Sequence, residues 1–400
     1  MDTLFEKTVT DTSSGINVPS FQIDGNDLPN VSDTRWRIVK YTLRGGLSEG
    51  IDVIEVDNGN LSYAILPTRG MGIWRGWYRD LTLGWDSPVK DPVHPAFIDL
   101  SDRGGLGWLK GFNEWIVRCG LDNNGAPGND VVVDNNGNKA TVPIPLHGKI
   151  ANTPARNVSI SVSADGTLTV SGEVDETMMF GPALRLTTTI STQIGSNELT
   201  IQDRVTNLNK TPAELELLYH CNYGSPILEE GARIVAPFKA VAPRDARAQD
   251  GIDTFDRFLD PTNRYVEQCY WYELAARRSG ETCVLLKNKQ GTCGSSLRFN
   301  LNQLPCFTVW KNTAARKNGY VTGLEPATNY PNLKRFEREN GRVVRLRGKE
   351  SYDIQLTVAA HDTRASVRVV EAEIASIQGH RKQVIHKVPK PHLSDLTGQD

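Results

Sequence analysis

Hydrophobic residues in this chain recur at every second position far more often than at every third or fourth. Leu61, Tyr63 and Ile65 alternate with their neighbours, as do Val158, Ile160 and Val162, then Leu184, Leu186 and Ile190, and finally Tyr352, Ile354, Leu356 and Val358. Successive side chains of a strand point to opposite faces, so this alternation predicts half-buried strands. Glycine-bearing links separate them: "DNGN" from 57, "ADGT" from 164 and "IGSNE" from 194 suit β-hairpins, and "SISVSADGTLTVSG" is the clearest hairpin. Helical signals are few. The best are "QCYWYELAARR" (268–278), aromatic enough to be a strand instead, and "VRVVEAEIASIQGH" (367–380).

The expected class is therefore all-β. Strand signals run from about residue 36 to about 360 without a Pro/Gly/Ser-rich linker, which predicts one large antiparallel sandwich over 36–365 rather than two domains. Residues 1–35 are polar and turn-rich and read as a strap over the sandwich. Residues 366–400 read as a C-terminal tail, extended or mobile after Gly379, where no core-forming period remains.

Composition narrows the partners. The 400 residues carry 45 basic and 47 acidic side chains, interspersed, for a formal net charge of -2. That gives no basic stripe for tracking nucleic-acid phosphates. "MDTLFEKTVTDTSSG" lacks the apolar core of a signal peptide, and no stretch approaches the roughly 18 apolar residues of a membrane span. The cysteines at 119, 221, 269, 283, 293 and 306 include no C-x-x-C pair, so they read as reduced thiols of a cytoplasmic protein rather than a zinc cluster or disulfide framework. Nucleic acid, membrane, metal and cofactor are all unexpected.

Candidate chemistry begins with Glu325, set in the apolar run "YVTGLEPA". A carboxylate buried in a strand is costly unless it is paired, hydrogen-bonded or used. Its possible partners are histidines. His380, His386 and His392 lie in the polar tail, His361 ends a strand, and His94 sits between prolines in "DPVHPAF". His147 ends an apolar run and precedes Gly148, which allows close backbone approach. In "AELELLYHCNYG", Leu215, Leu217 and Tyr219 face one way, and His220 shares the other face with Glu214, Glu216 and Leu218.

"PLHGKIAN", "LYHCNYGSP" and "YVTGLEPATNYPN" resemble the three motifs of the aldose 1-epimerase (galactose mutarotase-like) family. "LPTRGMGIW", "LGWDSP" and "GFNEWIVRCGLDNNGAP" are closer still to an uncharacterised mutarotase-like branch of that superfamily, and the resemblance spans roughly residues 40–360. It implies a β-supersandwich with a sugar in a concave cleft, Glu325 as general base, His220 as general acid and His147 as a binding residue. Arg69 in "PTRGMG" matches the family's sugar-contacting arginine more loosely, and Asp245 lies in about the region of a further sugar-binding carboxylate.

Anomer interconversion needs one group to take the C1 hydroxyl proton and another to protonate the ring oxygen, from either side of the anomeric centre. Arg69, Asn222 and Asn329 would orient hydroxyls, Trp310, Trp74, Trp108 or Trp115 would cover the sugar's carbon face, and Glu114, in a glycine-rich segment that would roof the cleft, is a further ligand candidate. Departures from the family pattern, Thr68 before Arg69, "HCNY" and "PATNYPN", leave the sugar open. Three other readings use the same residues: a metal-dependent sugar isomerase, epimerase or lyase with His147, His220 and Glu325 as ligands; a non-catalytic carbohydrate-binding protein; and a glycosidase pairing Glu114 with Glu325. Spacing in the chain does not set the oligomeric state.

Overall fold

The computed structural model describes residues 2–28, 31 and 35–395. Among them, two large sheets stack face to face, one of 10 strands and one of 14. The smaller sheet is built around the long hairpins that the alternation predicts: Asn157–Ser163, Thr167–Thr177, Ala183–Gln193 and Glu198–Asn207 pair in succession, and Ser351–His361 closes on the last of them. Their inward residues, among them Ile160, Val170, Ile190, Ile201 and Leu356, meet Ile65, Ile73, Leu217, Tyr219, Val309 and Leu324 from the larger sheet in one continuous core. The chain is an all-β sandwich, as its period-two pattern requires. No helix among the described residues is long and apolar enough to cross a membrane.

A buried ion pair ties the layers together. Arg118 of the larger sheet donates through Nε to Asp203 Oδ2 at 2.5 Å and through Nη2 to Oδ1 at 2.9 Å, while the Tyr219 hydroxyl donates to the same carboxylate at 2.7 Å. Asp203 belongs to the smaller sheet, so the bond crosses the core.

The first 35 residues differ from the expected strap. Thr3–Asp11 joins the smaller sheet beside Asn157–Ser163, and Phe21–Asp24 joins the larger one beside Arg37–Thr42. Residues 29, 30 and 32–34 lie outside the described residues. Few apolar residues are available here, but Val9 and Ile23 are buried in the core, and ladder hydrogen bonds supply the rest.

The tail also adopts regular structure. Arg364–Gln378 is a helix, close to the expected 367–380, capped at Thr363 by a reciprocal bond with Ser366. Its Val367, Val370, Ile374 and Ile377 pack on Cys283 and Leu285 of the smaller sheet. Beyond Gly379 the chain runs extended: Val384–Ile385 pairs in parallel with the Phe238–Pro243 strand, and Ser394 is buried. The ambiguous 268–278 segment is a strand, Gln268–Leu274, because its aromatic residues line both faces of a central sheet position.

Candidate active site

The larger sheet turns one face to the core and the other outward, and the candidate residues lie on the outward one. Five of its strands run side by side: Gln268–Leu274, Cys306–Thr313, Tyr320–Ala327, Ala213–Tyr223 and Ile116–Leu121. The register Leu218↔Ala327 and Cys221↔Leu324 sets His220 directly across from Glu325. Directly opposed residues of an antiparallel pair share a face. His220 Nε2 lies 3.2 Å from Glu325 Oε1, and both side chains are buried. Oε1 has no hydrogen-bond partner. Each group therefore retains hydrogen-bonding capacity for a third molecule. The two stand side by side on neighbouring strands, not on opposite flanks of a hollow; the C1 hydroxyl and ring oxygen of a pyranose share one carbon, so adjacent groups can serve both.

Gly323 makes room for the pair. It stands between Asn222 and Trp310 in register, and a Cβ there would lie 2.6 Å from Glu325 Oε1 and 2.8 Å from His220 Cε1. Aromatic rings enclose the rest. Phe112, Trp310 and His147 have ring centres 5.1, 5.4 and 5.6 Å from that of His220, and Trp108 lies 4.7 Å from His147. This cage removes water, and the charges respond. Burial, reinforced by the Glu267 carboxylate, pushes the Glu325 carboxyl up to about 8, with Arg244 opposing. Burial, with His147 nearby, drives the His220 imidazole down to about 3, and burial takes His147 to about 4. Burial thus favours the uncharged form of each group.

His147 has left-handed backbone, φ 58°, and its Nδ1 donates to Asn124 O at 2.8 Å. The next residue needs to be glycine: a Cβ on Gly148 would meet Gly120 O at 2.3 Å and Asn123 O at 2.2 Å. Trp310 is partly buried and donates through Nε1 to Glu267 at 2.7 Å. His147, His220, Glu325 and Trp310 are thus brought together.

Five other expected ligands are placed differently. Arg69 is buried, with Nε on Glu114 Oε1 at 2.8 Å, Nη1 on Val93 O and Asn152 Oδ1, and Nη2 on Gly111 O. Its donors are engaged within the protein because it pins the glycine-rich segment to the sheet. Glu114 is its ion-pair partner and also accepts from Asn113 N, so it is not free to form a glycosidase pair with Glu325. Asn329 bonds Asn124 and Glu216, fixing the "DNNGAP" loop. Asn222 faces His220, with Oδ1 2.6 Å from its Nδ1. Asp245 caps the short helix Ala246–Asp250 through Ala248 N and accepts from Arg244 Nε.

Among the tryptophans, Trp115 is core and Trp74 stacks under Arg75 elsewhere on the sheet. No group of three or more His, Cys, Asp or Glu among the described residues is arranged to hold a metal ion. His94 caps a short turn, and His361 bonds Ser296 on the smaller sheet, where a hollow of about 550 Å³ lies against the 364–378 helix, away from the pair.

Sequence reasoning missed Arg244, Glu267, Thr308 and Phe112. Arg244 Nη2 reaches Glu267 at 3.2 Å and its Nη1 reaches Cys269 Sγ at 3.0 Å, at the rim of the site. Thr308 pairs with Glu325 in register, is buried, and its hydroxyl has no partner. No short motif marks these residues: Thr308 lies on a strand, and Phe112, Arg244 and Glu267 lie on connections beside it.

Several solved structures are similar to this one. A crystal structure of a candidate aldose 1-epimerase from Klebsiella pneumoniae superposes with a TM-score of 0.90 at 36% identity, covering 96% of this chain and 98% of that one. A galactose mutarotase-like protein from Clostridium acetobutylicum gives 0.56 at 14% identity over 82% of this chain and 98% of that one. A galactose mutarotase related enzyme from Lactobacillus acidophilus gives 0.52 at 11% identity over 78% and 98%, and these last two show the fold. No curated protein matches the chain. Residues 48–360 match the family described as a domain of unknown function, DUF4432, and with that match covering most of its length this chain belongs to the DUF4432 family, on a galactose mutarotase-like sandwich.

Proposed function

We propose that this protein is a carbohydrate-active isomerase that interconverts the anomers of a small-molecule aldose by acid/base ring opening. The observation that carries the reading is the His220–Glu325 pair: two proton-exchanging groups 3.2 Å apart, walled by aromatic rings, with Glu325 Oε1 left without a partner. Ring opening moves one proton off the C1 hydroxyl and one onto the ring oxygen, so the pair matches the stoichiometry of the step and no redox or metal group is called for. Trp310 and Phe112 supply apolar faces for the carbon side of a sugar, and Glu267 and Arg244 at the rim supply hydroxyl acceptors and donors. The resemblance of the Klebsiella protein supports the same activity class. Six unpaired cysteines suit a reducing, cytoplasmic setting.

Exchange NMR over a panel of aldoses tests this. Wild type should speed anomer exchange of at least one sugar, and Glu325→Gln should reduce that rate by about 100-fold or more. Identical behaviour of the two proteins toward every sugar removes the proposal.

A further inference from the structure

We infer that Asn222 is a positioning residue that holds His220 in the tautomer protonated at Nδ1, so that Nε2 receives the C1 hydroxyl proton and Glu325 supplies the proton to the ring oxygen. The direction of flow rests on the proposed function; the tautomer does not.

The argument is one of donors and acceptors. Asn222 Nδ2 donates to Glu114 O at 3.0 Å and to His220 O at 3.1 Å. Carbonyl oxygens only accept, so the amide cannot be turned around, and its Oδ1 is the atom that faces the imidazole. Oδ1 lies 2.6 Å from His220 Nδ1 and also only accepts, so Nδ1 bears the hydrogen. In a neutral ring the other nitrogen then carries the lone pair. That nitrogen, Nε2, is the one beside Glu325.

The anchor is itself fixed. Glu114 O takes a second bond from Trp85 Nε1 at 3.0 Å, and the Glu114 carboxylate is clamped by Arg69 and Asn113 N. A chain of contacts therefore runs from Arg69 through Glu114 and Asn222 to His220, and the residues expected to touch sugar serve instead to orient the imidazole. Around the pair, the other titratable and charged groups are His147, donating its own Nδ1 hydrogen to Asn124 O, Glu267 with Arg244, which pair with each other, and the buried thiols of Cys119, Cys221 and Cys269. None of these gives Nε2 a donor.

The step balances. Nε2 takes the proton of the C1 hydroxyl, the O–H electron pair becomes the second bond of the aldehyde, the bond from C1 to the ring oxygen breaks, and that oxygen takes the Glu325 proton. The open-chain state leaves an imidazolium beside a carboxylate, and ring closure on the other face returns both protons. This exchanges the acid and base roles that the family resemblance implies.

The test is a long-range proton–nitrogen correlation spectrum of the full chain with labelled histidines at neutral pH, read beside anomer exchange. Wild type should show His220 neutral with hydrogen on Nδ1. Asn222→Ala should move hydrogen toward Nε2 and lower kcat about 10- to 100-fold with KM changed less than about threefold. A wild-type ring protonated at Nε2, or an Asn222→Ala spectrum identical to wild type, overturns the inference. The expected spectra without exchange of any sugar support the positioning role and count against the isomerase reading alone.

Discussion

Glu325 folds back over Gly323, two residues before it, so that the carboxyl occupies space a side chain at 323 would fill: an added Cβ would lie 2.6 Å from Oε1. Gly323 does not have left-handed backbone, so alanine costs nothing in φ. Gly323→Ala should displace the carboxyl and the imidazole together and lower kcat about 10- to 100-fold, about 1.4–2.7 kcal/mol of barrier, with a stability loss no larger than the about 1–3 kcal/mol typical of overpacking. Kinetics and denaturant unfolding on the same variant separate the two effects; unchanged kcat would show that the carboxyl does not act from this position.

The perturbed groups predict how stability depends on pH. Glu325 binds its proton up to about pH 8 when folded but only to 4.5 when unfolded, so folding takes up a proton in that interval and stability falls as pH rises through it. His220 does the opposite between about 3 and 6.5, where the unfolded chain binds the extra proton and stability rises with pH. The two slopes oppose between 4.5 and 6.5, and from 6.5 to 8 the carboxyl's remains, joined by Glu216, which burial also pushes up to about 8. Unfolding free energy should therefore decline over that upper interval. Glu325→Gln should make the decline shallower by about 1.4 kcal/mol per pH unit, one proton's worth. Parallel wild-type and variant curves would mean that Glu325 is ionised in the folded state.

Arg118 and Asp203 join the two sheets through the core, with the Tyr219 hydroxyl on the same carboxylate. Removing one partner strands the other charge in a dry interior. Asp203→Ala should destabilise by about 3–5 kcal/mol, whereas Arg118→Met combined with Asp203→Leu should recover most of the loss. Urea unfolding of wild type and these two variants decides between this and a bond that contributes little.

Ser394 ends the tail's path over the sheet, where its hydroxyl accepts from Trp271 Nε1 at 2.8 Å and is buried. Ser394→Ala leaves the indole N–H unsatisfied and should cost about 1–3 kcal/mol. A change near zero would place the tail's anchoring in the Asn332 bond to Leu393 O instead.

The strands themselves were legible because alternation is a local property: each residue's face follows from its parity, and a run such as Val158, Ile160 and Val162 needs no distant information to declare itself. Parity also put His220 opposite in facing to Leu217 and Tyr219, and the structure keeps that division. The same local reading underrated residues 1–35 and the tail, where Thr3–Asp11 and Val384–Ile385 take their stability from ladders supplied by partners more than 100 positions away.

What the sequence determined alone, then, was the sandwich, the Gly148 constraint and the types of residue that could exchange protons. The tertiary structure decided which of them meet. Sheet order brings positions 220 and 325 to one register line, and hydrogen bonds within the protein engage Arg69 and Glu114 and turn Asn222 toward His220. The physical reason is that a polar side chain's role depends on which of its donors and acceptors remain unspent, and those partners come from distant strands.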